Sequence, residues 1–473
     1  MALSRPPERI SPGVEFTTRS AYLDELKALV RLALPLAGAN FGQMLLGAVD
    51  TAVVGRRGAV ELGAAGLGNS LFFCVSILGM GVMMGLDPLV SQAHGAKQHA
   101  QARRTLWQGV WLALAGKVPL GIGILALAAQ LEHLGIDAEA ANHTRAYLGS
   151  RLWGLLPFLL FAALRSYLQS VGRATPMFYG AVLANLINLP MSWVLVFGDA
   201  GLTRLGLPAL GVPEMGVAGA GYTSAFCTLL QLLVLVKAVR GLSVPEAAQG
   251  ERFRRPDAVL MRSALRLGLP IGFTLLAEVG IFSLTNVAMG NLGQTALAAH
   301  QVAITLASAT FMIPLGIGAA ASVRVGQAVG ARDEPGVRRA GLCALALGVG
   351  FMSLGALVFL TLPDTLSRVI TDQPEVVAAA VPLLLVAAVF QIFDGAQAVL
   401  AGALRGAGDT TLPLILNLAG YYLVGTPVGL GLAFLGGRGA VGLWWGLSSG
   451  LIFVALTLGV RFFRLTSRGL RPV

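Results

Sequence analysis

The sequence predicts an all-α integral membrane protein, with twelve transmembrane helices in two parallel-repeat six-helix lobes. Three observations predict it. Of 473 residues, 55% are apolar and 12% charged, and the mean hydropathy is +0.75. Soluble domains carry about 25% charged residues, so no soluble fold could cover this much apolar surface. Apolar runs recur at membrane-spanning length. The chain also repeats itself at an offset of 235 residues. Composition likewise excludes disorder and collagen, and the 61 glycines suit helices that pack closely in lipid.

A bilayer core of about 30 Å takes about 20 helical residues. Runs of that kind fall at 32–54, 66–92, 106–131, 147–170, 176–198 and 216–238. A second set falls at 267–290, 297–326, 341–362, 379–403, 411–435 and 440–462. Their even number puts both termini on one side. The opposite side then carries only Arg56, Arg57, Arg145, Arg151, Arg204, Arg368 and Arg438, and Lys117 lies inside the third run. The remaining 26 of the 34 Lys and Arg fall on the side of the termini. This bias predicts that both termini are cytoplasmic in a multi-pass protein of the cell inner (plasma) membrane. It accounts for the net charge of +11 without nucleic acid as a partner. Arg5, Arg9, Arg19 and Lys27, with no apolar core before residue 30, argue against a cleavable signal peptide.

The repeat is carried by polar residues and prolines. Arg31-Leu-Ala-Leu-Pro35 lies over Arg266-Leu-Gly-Leu-Pro270, and Gln92-Ala-His-Gly-Ala-Lys97 over Gln327-Ala-Val-Gly-Ala-Arg332. Gly55, Gly58 and Leu62 lie over Gly290, Gly293 and Leu297; Arg103-Arg104 lies over Arg338-Arg339. Later the register slips by one, so that Gly172 matches Gly408. Six spans per repeat give both halves the same orientation, with a pseudo-two-fold axis along the membrane normal and a cavity between them. The expected organisation is a cytoplasmic segment 1–30, an N-lobe 31–240, a basic cytoplasmic linker 241–262, a C-lobe 263–463 and a cytoplasmic tail 464–473. The repeat supplies both halves in one chain, so a monomer is expected.

Ionisable groups at lipid depth are costly and mark function. Three carboxylates stand out: Asp50 in the first run, Glu278 in the seventh and Asp394 in the tenth. Neither Glu278 nor Asp394 has a Lys or Arg one turn away. Each acid must be protonated, face water or bind a cation, and all three options suit ion-coupled transport. The plainer alternative is hydrogen bonding between helices. At the repeat offset, Glu278 lies over Gln43 and Asp50 over Thr285. Asp87, Asp409, Arg324 and Arg405 near the basic ends of their runs read as caps, anchors or interlobe ion pairs. Trp444-Trp445 reads as an interfacial belt. Asn185 and Asn188 in the fifth run can bond across helices or ligate an ion.

Other chemistries find no support. Cys74, Cys227 and Cys343 sit in apolar runs without metal-ligand spacing. No G-x-x-x-x-G-K-[ST] or H-E-x-x-H is present, so transport is not driven by a P-loop ATP site in this chain. Gly446-Leu-Ser-Ser-Gly450 matches a nucleophile-elbow pattern only in letters, inside an apolar helix. The histidines form no catalytic constellation, so the chain is not expected to be an enzyme.

Val49-Asp-Thr-Ala-Val-Val-Gly55 with Leu62-Gly-Ala-Ala, and the stretch from Asp394-Gly-Ala-Gln to Arg405-Gly-Ala-Gly-Asp-Thr410, resemble the MATE family of multidrug and toxin extrusion transporters. The resemblance runs from about residue 25 to 463 and is greatest to the bacterial NorM-like branch. It implies that Glu278 and Asp394 bind the coupling cation, holding Na⁺ as a metal if sodium is the ion. It also implies that Asp50 is an N-lobe coupling acid, with Asn188 and Ser224 as N-lobe polar ligands. Where family members can have Tyr four residues before the tenth-helix Asp, this chain has Phe390, which lacks the hydroxyl. The implied activity is secondary active antiport, with inward Na⁺ or H⁺ exchanged for apolar, often cationic drugs by alternating access. No cofactor is implied beyond the coupling ion. The alternative is a flippase for a lipid-linked oligosaccharide or similar amphiphile; the acidic mid-membrane charges favour a cationic cargo or ion.

Overall fold

The computed structural model describes residues 12–467 except 134, 205, 207 and 244–253, with side chains from Ser20 onward. The expected segment 1–30, linker 241–262 and tail 464–473 therefore lie partly outside the described residues. Twelve helices are long and apolar enough to cross a membrane. In the first half they are α1 (Pro12–Val54), α2 (Ala59–Gly95), α3 (His99–Ala129), α4 (Ala138–Ser170), α5 (Thr175–Phe197) and α6 (Val217–Arg240). In the second half they are α7 (Ala258–Asn291), α8 (Gln294–Gly330), α9 (Glu334–Thr361), α10 (Pro374–Gly406), α11 (Thr411–Leu435) and α12 (Gly439–Ser467).

Several helices outrun the apolar runs because polar caps set their ends. Asp137, Asp257 and Asp333 accept backbone N–H groups at the starts of α4, α7 and α9. The duplication is written in the backbone too. Among the described residues, Lys97 and Arg332, 235 residues apart, are the non-glycine residues with positive φ, at 61° and 56°. Each follows a helix end closed by a pair of reverse hydrogen bonds, such as Gln98 N–H to Ala93 O and Asp333 N–H to Ala328 O. That closure offsets the cost of the left-handed backbone.

Buried apolar residues fall into three clusters. One, including Leu29, Leu86, Leu164, Ile317, Leu404 and Phe462, joins both halves near the basic face and continues up through the N-lobe to Ile124 and Leu148. A second lies within the C-lobe, around Leu383, Trp444 and Leu451. A third lies within the N-lobe, around Val54, Tyr147 and Val196. The lobes are therefore fused at the base and separate toward the opposite face.

Glycines allow the fusion. Gly95 packs on the Gln327 carbonyl and Gly330 on the Gln92 carbonyl, reciprocally, where no side chain would fit. Gly81 and Gly85 of α2 meet Gly272 and Gly268 of α7 in the same way. Polar bonds follow the same symmetry: Gln92 donates to Gly406 O at 3.0 Å and Gln327 to Ser170 O at 2.9 Å. Two interlobe ion pairs add to them, Arg324 with Glu25 at 2.7 Å and Arg405 with the fully buried Asp87 at 3.5 Å. Asp409 pairs instead inside the C-lobe, with Arg461 at 2.7 Å. The end of the linker docks on α3: Asp257 pairs with Arg104 at 2.7 Å, and Trp111 donates to Arg254 O at 2.7 Å. Among the described residues, these interlobe bonds all lie toward the basic face.

Candidate functional site: a divided cavity with an acid in each lobe

Above the fused base, a cavity of about 730 Å³ opens between the lobes. Asn69, Ser70 and Phe73 of α2 line one wall; Phe273 and Gly280 of α7 and Tyr422 of α11 line the other. The lining is mostly apolar with a few polar groups, as suits a large amphiphile. Tyr422 is fixed by its hydroxyl donating to Ala277 O at 2.9 Å across the α7–α11 contact. The backbone of α11 widens into π-helical turns at Ala419–Gly425 and Gly431–Leu435. There Gly420 and Gly425 pack closely on Gly446 and Gly450 of α12. Gly446 and Gly450 thus pack helices, as their apolar context predicts.

In the C-lobe, Glu278 is tied to the helix that carries Asp394. Glu278 on α7 accepts a hydrogen bond from Gln397 Nε2 at 2.8 Å. Gln397 is itself held by Asn417 Oδ1 at 3.2 Å, and Asn417 donates to Pro413 O. Asp394 stands one helical turn before Gln397 on α10, close enough for Glu278 and Asp394 to repel each other when both are ionised. The buried Tyr421 of α11 is near both. Among the described residues no Lys or Arg pairs with either acid. Phe390 packs edge-on against Trp444 and Phe282 and offers the acids no hydroxyl.

The N-lobe acid forms a separate cluster. Asp50 accepts from Asn188 Nδ2 at 2.9 Å and from the hydroxyl of Ser224. Asn188 is fully buried and Ser224 nearly so. The structure thus joins Asp50 with Asn188 and Ser224, joins Glu278 with Gln397 one turn from Asp394, and keeps the two sets in different lobes. Gln43, the repeat partner of Glu278, is satisfied by Gln231 at 2.9 Å. Asn185 bonds to Gly42 O and Ala181 O, a helix-packing role.

Some positions differ from the sequence reading. Arg151, expected on the opposite surface, is inside α4 and borders an N-lobe cavity. The fourth apolar run, 147–170, already contains Arg151, so its place within the span was legible and only its turn toward the N-lobe interior was not. Trp444 is not interfacial. It is fully buried against His300 and Phe390, while Trp445 is partly exposed. Gln397, Asn417 and Tyr421 escape the sequence reading, because a neutral polar group in an apolar run shows its role only once its partner on another helix is known. Lys117 is exposed on the outer surface of α3.

Two six-helix lobes around a central cavity are the arrangement of a secondary transporter, and the comparisons with known proteins place the chain in that class. The chain belongs to the MatE family of multidrug and toxin extrusion transporters, whose model matches residues 35–194 and 270–430. The two matches begin at repeat-related prolines, Pro35 and Pro270. The chain is 36% identical over 458 residues to a probable multidrug resistance protein NorM of Rhizobium meliloti, covering 95% of each. It is 38% identical over 450 residues to one of Mesorhizobium japonicum, covering 94% of each. The fold is similar to that of a multidrug resistance MATE family transporter solved in an outward-facing conformation. That match has a TM-score of 0.84 and 19% identity, over 97% of this chain and 99% of the other. It is also similar to the eukaryotic MATE transporter AtDTX14, with a TM-score of 0.80 and 24% identity, over 93% and 96%.

Proposed function

We propose that this chain is a secondary active multidrug efflux antiporter, exchanging Na⁺ or H⁺ for apolar, often cationic drugs by alternating access. The observation that carries this reading is the Glu278–Gln397 bond one helical turn from Asp394, with no basic partner among the described residues, in a lobe that walls the interlobe cavity. Two acids that repel each other favour any state in which a cation or proton sits between them. Differential affinity for that cation between two lobe arrangements biases the transporter. Asp50, with Asn188 and Ser224, is the N-lobe counterpart.

The basic face is cytoplasmic, with both termini and the linker 241–262 on that side; the lobes span 31–240 and 263–463 of a monomer in the cell inner membrane. In that orientation the bonds at the base close the cytoplasmic side, so the cavity is open outward. Drug binds from the cytoplasm after those bonds part, and entry of the cation from outside restores the inward-accessible state. Glu278 and Asp394 hold Na⁺ if sodium is the coupling ion.

The test is ethidium efflux from energised cells expressing wild type, Glu278→Gln or Asp394→Asn at matched membrane levels. Wild type is expected to extrude dye and both variants to fail. Extrusion by the variants at the wild-type rate would move the coupling site out of the C-lobe. Lack of extrusion by wild type would remove the multidrug reading and favour flipping of a lipid-linked amphiphile.

A further inference from the structure

The two donors on Asp50 leave one neighbour unexplained. A second cavity of about 50 Å³ lies inside the N-lobe, bordered by Asn69, Ser76, Arg151, Phe158, Ser224 and Thr228. Ser224 belongs to both places, since its hydroxyl donates to Asp50 and its side chain lines this cavity. Asn69 and Phe73 line both this cavity and the interlobe one, so the two adjoin.

Arg151 lies over the ring of Phe72, with its guanidinium carbon 4.9 Å from the centroid. Its Nε is buried and has no hydrogen-bond acceptor. Among the described residues it forms no ion pair, yet its charge acts on Asp50. A buried guanidinium N–H without an acceptor is costly, and an aromatic face compensates only in part. The cavity gives a long side chain room to move, being larger than one water needs. Tyr147 and Cys227 also face Asp50 electrostatically, and both are neutral at pH 7 in their ordinary state.

We propose that Arg151 is a tethered competitor for the cation at Asp50. Its guanidinium pairs with the ionised carboxylate once the coupling ion has left and returns to the Phe72 face when the ion binds. The N-lobe then never holds a bare buried carboxylate, and ion release is driven by a charge that cannot leave. The C-lobe has no such group. Helices α4 and α10 begin at 138 and 374, so Arg151 lies over Ala387 and Phe158 over Asp394. This inference rests on the reading of Asp50 as a coupling acid.

The test uses the full-length protein in proteoliposomes, with ethidium as the transported probe. The driving Na⁺ or H⁺ concentration is varied for wild type, Arg151→Gln, Arg151→Lys, Asp50→Asn and the Asp50→Asn/Arg151→Gln double variant. Removing the competitor is expected to lower the half-maximal ion concentration about tenfold in Arg151→Gln. Arg151→Lys should shift it less, in the same direction. In the Asp50→Asn background, Arg151→Gln should add nothing. If Asp50→Asn alters ion dependence and Arg151→Gln does not, the competitor is disproved and the coupling acid stands. If Asp50→Asn leaves ion dependence unchanged, the reading of Asp50 fails and the competitor fails with it. Should Arg151→Gln not fold, an unshifted Arg151→Lys overturns the proposal.

Discussion

In the N-lobe, Asp50 has two hydrogen-bond donors and feels the positive charge of Arg151. In the C-lobe, Glu278 has one amide donor, and among the described residues no hydrogen bond reaches Asp394 and no base faces either acid. The two lobes grew from one six-helix plan, as the shared positive φ at Lys97 and Arg332 records. A shared backbone therefore does not impose shared electrostatics. The N-lobe carboxylate has a positive charge within its own lobe, whereas among the described residues the C-lobe acids have none.

The base of the molecule breaks this comparison most severely. Asp87 lies over Ser322 in the repeat, so only one half carries the buried acid that faces Arg405. Asp87 also accepts from Ser166 at 2.5 Å and Gln169 at 2.8 Å. Asp87→Asn strands the Arg405 charge and should destabilise the closed base by about 3–5 kcal/mol. Ser322→Ala, at the repeat-related position, should cost about 1 kcal/mol. Denaturation in detergent, read beside a dye-accessibility assay, compares the two. Equal losses would mean that the ion pair adds nothing to the base.

The acids themselves give opposite signs. Glu278→Gln with Asp394→Asn removes two repelling groups and should raise thermal stability while stopping efflux, by about 1–2 kcal/mol. Asp50→Asn leaves Arg151 without a counter-charge and should lower stability by a similar amount, about 1–2 kcal/mol. A melting series on the purified variants reads both, and a fall in both lobes would erase the proposed contrast.

The glutamine pair is the symmetric control. Gln92→Ala and Gln327→Ala each remove an interlobe bond of similar length. Each should cost about 1 kcal/mol. A clear difference between them would show that the base is less symmetric than its geometry.

The smallest effect concerns the connection between α5 and α6. Asp199 accepts backbone N–H groups from Val212, Leu210 and Gly211 at 3.0 Å each. These bonds, with Val212 foremost, hold its carboxyl below the ordinary value. A depressed acid contributes stability above its unfolded value and loses it as pH falls through the folded one. Amide exchange at 210–212 should therefore stay slow at neutral pH and speed up below about pH 4. The shorter C-lobe connection from α11 to α12, at 436–438, should show no such step.

Much of this architecture was legible in the sequence. Hydropathy and run length counted the spans, because lipid acts on each segment alone. The prolines and glutamines at one offset revealed the duplication. Asp50, Glu278 and Asp394 were visible as candidates because a carboxylate in an apolar run is costly wherever the helix points. Helix ends fall beyond the apolar runs where polar caps carry them, whereas Arg151, inside the run 147–170, is assigned to the opposite side by charge counting alone.

By itself, then, the sequence determined the number of spans, their pairing into two like halves and the presence of acids within the spans at 50, 278 and 394, all properties of single segments or of their order. The tertiary structure alone decided that Glu278 meets Gln397, that Asp87 meets Arg405, that Trp444 is core and that Arg151 lies near Asp50. Those facts depend on which face of one helix turns toward another far along the chain. Packing, constrained by close glycine contacts and by the need of buried polar groups for partners, settles that choice only when all twelve helices are in place.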